Sequence, residues 1–188
     1  MTALFNNYKR AAFLEMARFD RWVKASHSIG KIEPFMVPIL QGLGRLDCQL
    51  MADGEWYRQL ASPEQNTIDE SVLLSDRITL SYLWILGVYE LIRSLDQRCK
   101  AKPGILGQDL SGKIKNFRNE IERLRIPLAK FESARKHPAD SHIAYPVIDV
   151  ASGDIAWKLQ SNVFVSRTDF SQRLLVLMEE IRDVRQDG

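Results

Sequence analysis

The stretch SYLWILGVYELIRSLDQ, residues 81–97, is the most apolar of the chain, and its reading decides the fold. It sits inside TIDESVLLSDRITLSYLWILGVYELIRSLDQRCKAKPG, residues 67–104. Thr67 and Glu70 have the spacing at which a hydroxyl and a carboxylate each satisfy the other's free amide at a helix start. Arg98 and Lys100 suit the negative end of a helix dipole, and Pro103-Gly104 stops the pattern. The stretch predicts one central helix of about thirty residues, ~50 Å long at 1.5 Å per residue. Its uncharged run from Ile78 to Tyr89 is shorter than the ~20 residues a bilayer requires, and Glu90, Arg93 and Asp96 follow at once. A core or interface helix is expected, with no membrane contact.

With ~100° per residue, Tyr82, Tyr89, Arg93 and Asp96 fall on one stripe of that helix and Glu90 lies on its flank. These five are the candidate binding residues. They read either as a polar groove with a stacking surface, or as the wet end of a core helix in which Arg93 pairs with Asp96 at i, i+3. Burial of large apolar side chains at ~1.5–3 kcal/mol each outweighs one partly buried ion pair, so the second reading is favoured.

Elsewhere the pattern is also helical. Phe5, Tyr8, Ala12, Met16, Phe19 and Val23 predict a first helix over residues 3–26, with Arg18 and Arg21 on its outer surface. Pro34 and Pro38 suit the first turn of a second helix, with Ile39, Leu43, Leu46 and Leu50 as its apolar face and a break at ADGEW, residues 52–56. A fourth helix, capped by Asp109 or Ser111, carries Leu110, Ile114, Phe117, Ile121, Leu124 and Leu128, with a kink or end near Pro127. The period then changes. Ile155, Trp157 and Leu159 alternate with Asp154, Ala156 and Lys158 after Ser152-Gly153, which predicts a small β-hairpin, and a last helix starts at Ser166 with Phe170, Leu174, Leu177, Met178 and Ile181 inward. The fold class expected is mainly α, a single domain over residues 1–188, with about five helices and one small β-hairpin before the last.

The 188 residues, 45% hydrophobic and 27% charged, match an ordinary globular chain. Cys48 and Cys99 lack C-x-x-C partners, which suits reduced thiols and excludes cysteine-built zinc sites. The first twenty residues lack the order of a signal peptide, so a cytoplasmic protein is expected. Net charge is +2, yet residues 113–136 hold eight Lys or Arg (113, 115, 118, 123, 125, 130, 135, 136) against Glu120, Glu122 and Glu132. Residues 53–76 are acidic, and the two stretches are candidates to attract each other; the alternative for the basic one is weak contact with RNA. His137, Asp140 and His142 are metal-binding types without a fourth ligand in sight, so no metal and no cofactor is expected.

FRNEIERLR, residues 117–125, contains Arg118-Asn119 and then Arg123. Here the chain resembles the HEPN family of small helical bundles, whose ribonuclease members carry Arg, a polar residue, three residues, then His. The resemblance covers about residues 67–130 and implies Arg118, Asn119 and Arg123 as the catalytic positions. Arg replaces the His, and an arginine is never neutral near pH 7, so it is a poor general base. The expectation is a non-catalytic helical interaction protein that self-associates or takes a protein partner, with a HEPN-like RNA-binding or RNA-processing domain as the alternative.

Overall fold

The computed structural model describes residues 15–60, 68–149 and 152–186. The elements are α1 (Met16–Ile29), α2 (Met36–Leu60), α3 (Ile68–Ala101), α4 (Gly107–Ala129), β1 (Tyr145–Asp149), β2 (Asp154–Gln160), β3 (Val163–Ser166) and α5 (Arg167–Gln186). The helix from residue 68 to 101 is the expected central one, ~51 Å long. Phe5, Tyr8, Ala12 and Thr67 lie outside the described residues.

One core joins all five helices and the sheet, with Trp22, Trp84, Ile92, Ile114, Trp157 and Leu174 fully or almost fully buried. The stripe read for α4 is the one observed: Leu110, Ile114, Phe117, Ile121 and Leu124 are buried, and the helix ends two residues after Pro127. Its start differs. Leu106 is the N-cap without a side-chain bond, while the Ser111 hydroxyl donates back to the Gly107 carbonyl at 2.7 Å. On α5 every expected inward residue is buried, and the Ser166 hydroxyl caps the helix by accepting the Asp169 amide at 3.1 Å.

The sheet is antiparallel with order β1-β2-β3, one strand more than the hairpin expected. The third strand, Val163–Ser166, is too short to show a period by itself and is held by pairing to β2. At the β1–β2 turn Gly153 has φ 67° and sits so close to the Gly54 carbonyl that no side chain fits. This contact explains the failure of the expected break in α2. The helix runs straight through Asp53-Gly54, because a glycine there lets the turn pack against it.

A second correction concerns which face of α2 is inward. Met36, Leu40, Gly44 and Asp47 face the core, and a side chain at Gly44 would press on Trp22, with a Cβ only 2.5 Å from the indole Cγ. Of the stripe read as inward, Leu50 alone is buried; Leu43 and Leu46 are half-buried and Ile39 is 51% exposed. Likewise α1 buries Trp22, Ala25 and Ile29 instead of the Phe19 line.

Candidate functional site

Of the residues on the α3 edge, Glu90 and Arg93 form an exposed i, i+3 pair at 2.7 Å, which answers what two charges do in the most apolar helix: they mark its wet side. Arg93 therefore does not pair with Asp96. The Asp96 carboxylate is buried and accepts from Lys100 at 2.6 Å and from Arg118 at 2.5 Å. Arg118 donates its other terminal nitrogen to Asn119 at 2.8 Å, and its Nε is buried without a partner. Tyr89 is buried; burial and the neighbouring Glu122, to which its hydroxyl donates at 3.2 Å, push its pKa up. The Arg125 guanidinium stands 4.9 Å over its ring. Tyr82 is half-buried and joins none of these contacts.

Arg118 and Arg123 diverge. Five residues apart, they are separated by ~140° around α4, so one turns to α3 and the other to the loop beyond the helix. Arg123 makes a two-pronged bond to Asp140 at 2.7 and 2.8 Å, and Gln160 of β2 donates to the same carboxylate at 2.7 Å. The Arg123 bond holds the Asp140 carboxyl below the usual range, with Gln160 adding to it. The ligand types noted at 137–142 are thus divided, and among the described residues no three His, Cys, Asp or Glu stand together as a metal site. Nor, among the described residues, is there an ion pair between the basic and acidic stretches. Arg118, Arg123 and Lys113 pair with Asp96, Asp140 and Glu180, all outside residues 53–76.

Beyond Arg123 a groove of about 460 Å³ opens between the last turns of α4 and the loop 130–137. Arg123, Lys130, Arg135, Lys136 and His137 line it, with Glu122 and Glu132 as its acidic members. At its edge Phe131 has φ 58° and is 66% exposed. Glycine is usual at such a position just past a helix, and a bulky side chain there costs about 1–3 kcal/mol.

The most extensive polar network was not foreseen. Asp47, fully buried on α2, accepts from Arg18 at 2.7 Å, Trp22 Nε1 at 3.0 Å, Arg167 at 2.6 Å and Ser171 at 2.5 Å. Burial pushes its carboxyl up, but Arg167 and Arg18 outweigh that and hold it below the usual range. Arg18 was expected on the surface; it is drawn inward by this carboxylate. Close by, Arg77 of α3 is buried over the Tyr57 ring at 5.0 Å and donates to the Gly153 carbonyl, while its Nε and other terminal nitrogen have no partner among the described residues. Cys48, next to Asp47, has its thiol pushed up to about 12 by burial and by the acids around it, which keeps it unreactive. No sequence period announces such a hub, because a lone Asp in an apolar face has the same spacing whether it is buried or wet.

A comparison of the chain with protein-family models, with curated proteins and with solved structures gives no match. Chemically, the clusters at Asp47 and Asp96 are ion pairs. Their carboxylates are matched to guanidinium groups, and neither holds a neutral base beside a nucleophile.

Proposed function

We propose that the protein is a non-catalytic helical interaction module that self-associates through the outer face of α2 and α3. The observation that carries this reading is the outward turn of the apolar stripe on α2. Ile39, Leu43 and Leu46 continue there into Leu80, Leu83 and Leu86 of α3, and Ile39 and Leu83 are 51% and 50% exposed. Leu43 bridges the two helices, since a Cβ on Gly87 would stand 2.8 Å from its Cδ2. Helix α3 also contains a segment, Ser71–Ala101, long and apolar enough by composition to cross a membrane, yet only 28% of its most apolar window is buried. An apolar helix so little covered wants a partner.

A second copy fits best. The patch from Ile39 to Leu46 is ~11 Å long at 1.5 Å per residue, so an interface of standard size, ~800 Å² per copy, extends from it along the rest of the α2–α3 face. The two helices also expose charges of both signs, Arg45 on α2 and Asp76 on α3, neither of which has a partner among the described residues, and a two-fold contact uses such self-complementarity. The test is the double variant Ile39→Glu/Leu83→Glu. It should lower the mass seen by light scattering while leaving the helical circular dichroism unchanged; an unchanged mass would reject the face.

The HEPN-like alternative is supported by one contact, Arg118 reaching Asp96 on the central helix. Arg123 supplies no base and is drawn to Asp140. General-base help is worth ~10²–10⁴ in rate, so RNA incubated with the protein in EDTA should remain intact. Cleavage lost in Arg118→Ala would establish the ribonuclease instead.

A further inference from the structure

The outer face of the sheet carries one row that the fold does not use. Pairing aligns Tyr145 with Lys158 and Lys158 with Phe164, so the three side chains stand side by side across β1, β2 and β3. The neighbouring row, Pro146, Trp157 and Val165, points the other way, and there Trp157 is buried against the helices. Tyr145 and Phe164 are each 55% exposed, and Lys158 has no ion pair among the described residues. Two strand spacings separate the aromatic rings by ~10 Å, with the lysine between them.

This row adjoins the basic groove. The Ser141 amide donates to the Leu159 carbonyl at 2.7 Å, and Asp140 joins Arg123 of α4 to Gln160 of β2, so the loop 130–141 runs beside the same end of the sheet. Lys130, Arg135 and Lys136 are exposed and, among the described residues, unpaired. The sheet's own acids, Asp149 and Asp154, pair at the opposite end. Phe131 adds a third exposed ring, on a backbone conformation that bulky residues rarely adopt.

We infer that this end of the molecule binds single-stranded nucleic acid, with bases stacked on Tyr145 and Phe164 and phosphates held by Lys158, Lys130, Arg135 and Lys136. Flat rings separated by a cation, next to a concave basic groove, match a strand whose bases and phosphates alternate. An anionic membrane would be met better by a continuous apolar ridge, which this row is not. The inference does not depend on self-association through α2 and α3, or on Arg118.

The test is fluorescence anisotropy with a labelled 12-nucleotide single strand of mixed sequence, as RNA and as DNA, at two salt concentrations, beside the matching duplex and anionic phosphatidylserine vesicles. The wild-type chain should bind the single strands more tightly than the duplex, with affinity falling as salt rises. Tyr145→Thr and Phe164→Thr keep strand propensity and should each weaken binding by about 5- to 150-fold, the equivalent of one stacked base. Lys158→Gln should weaken it and flatten the salt slope by about 0.7. Unchanged circular dichroism of the variants excludes misfolding. Binding that ignores both aromatic substitutions, no binding at low salt, or binding to vesicles alone would each overturn the inference.

Discussion

The Asp47 hub makes the sharpest energetic prediction. Replacing Asp47 with Leu removes the acceptor for four donors and leaves Arg167, 2% exposed, with Thr168 Oγ1 at 2.9 Å and Asp154 at 3.9 Å as its remaining polar partners. Breaking a buried pair at one end costs about 3–5 kcal/mol, and the orphaned Trp22 indole adds about 1 kcal/mol. The expected loss is therefore ~4–6 kcal/mol, a large part of the 5–15 kcal/mol that ordinary domains possess. Adding Arg167→Met removes the stranded charge and keeps most of the side-chain volume over the Trp84 ring, where the guanidinium now stands at 5.6 Å. The double variant should recover at least ~2 kcal/mol of the loss. Urea denaturation followed by circular dichroism measures all three proteins. A single variant that loses less than ~1 kcal/mol, or a double variant whose losses simply add, would refute the view that Arg167 depends on this carboxylate.

Phe117 is buried and meets Phe170 edge-to-face at 5.7 Å, so Phe117→Ala should cost ~3–5 kcal/mol, and half-buried Asn119→Ala under ~0.5 kcal/mol; equal losses in urea would mean the face of α4 is misassigned. The folded pKa of Asp140 is depressed, so the stability it contributes is fully present above the unfolded value of ~3.9 and is lost as pH falls through the folded value. Half-buried Glu15 and Asp53 are shifted up and work in the opposite sense, so the expected difference is read by comparison: Asp140→Asn should flatten the acid limb of a melting-temperature profile below pH ~4, and a parallel profile would count against the tie. Phe131→Gly should raise stability by about 1 kcal/mol by relieving the left-handed backbone, and a loss would show that the ring packs.

The parts of the fold legible in the sequence are those where one period dominates. The stripe of α4 and the inward line of α5 are single; the α5 line is buried at every residue read, and the α4 stripe at all but Leu128, which is half-buried while Pro127 beside it is buried. In α2 two apolar lines compete, Ile39-Leu43-Leu46 and Met36-Leu40-Gly44, and period alone favours the stronger-looking one. The choice is made by packing: only a glycine at 44 admits the Trp22 ring, and only a carboxylate at 47 gathers the buried arginines. The polar edge of α3 was visible as a stripe, but its partners were not. Asp96 finds Arg118 from another helix, and no spacing within α3 encodes that. Strand β3 and the aromatic row depend on register, which is a property of paired strands.

Self-association through the outer face of α2 and α3 is the central claim, and the mass of the wild-type chain in solution tests it most directly. Sedimentation equilibrium from about 1 to 50 µM should give twice the 21.6 kDa of one chain across most of that range. A single species of 21.6 kDa throughout would contradict it.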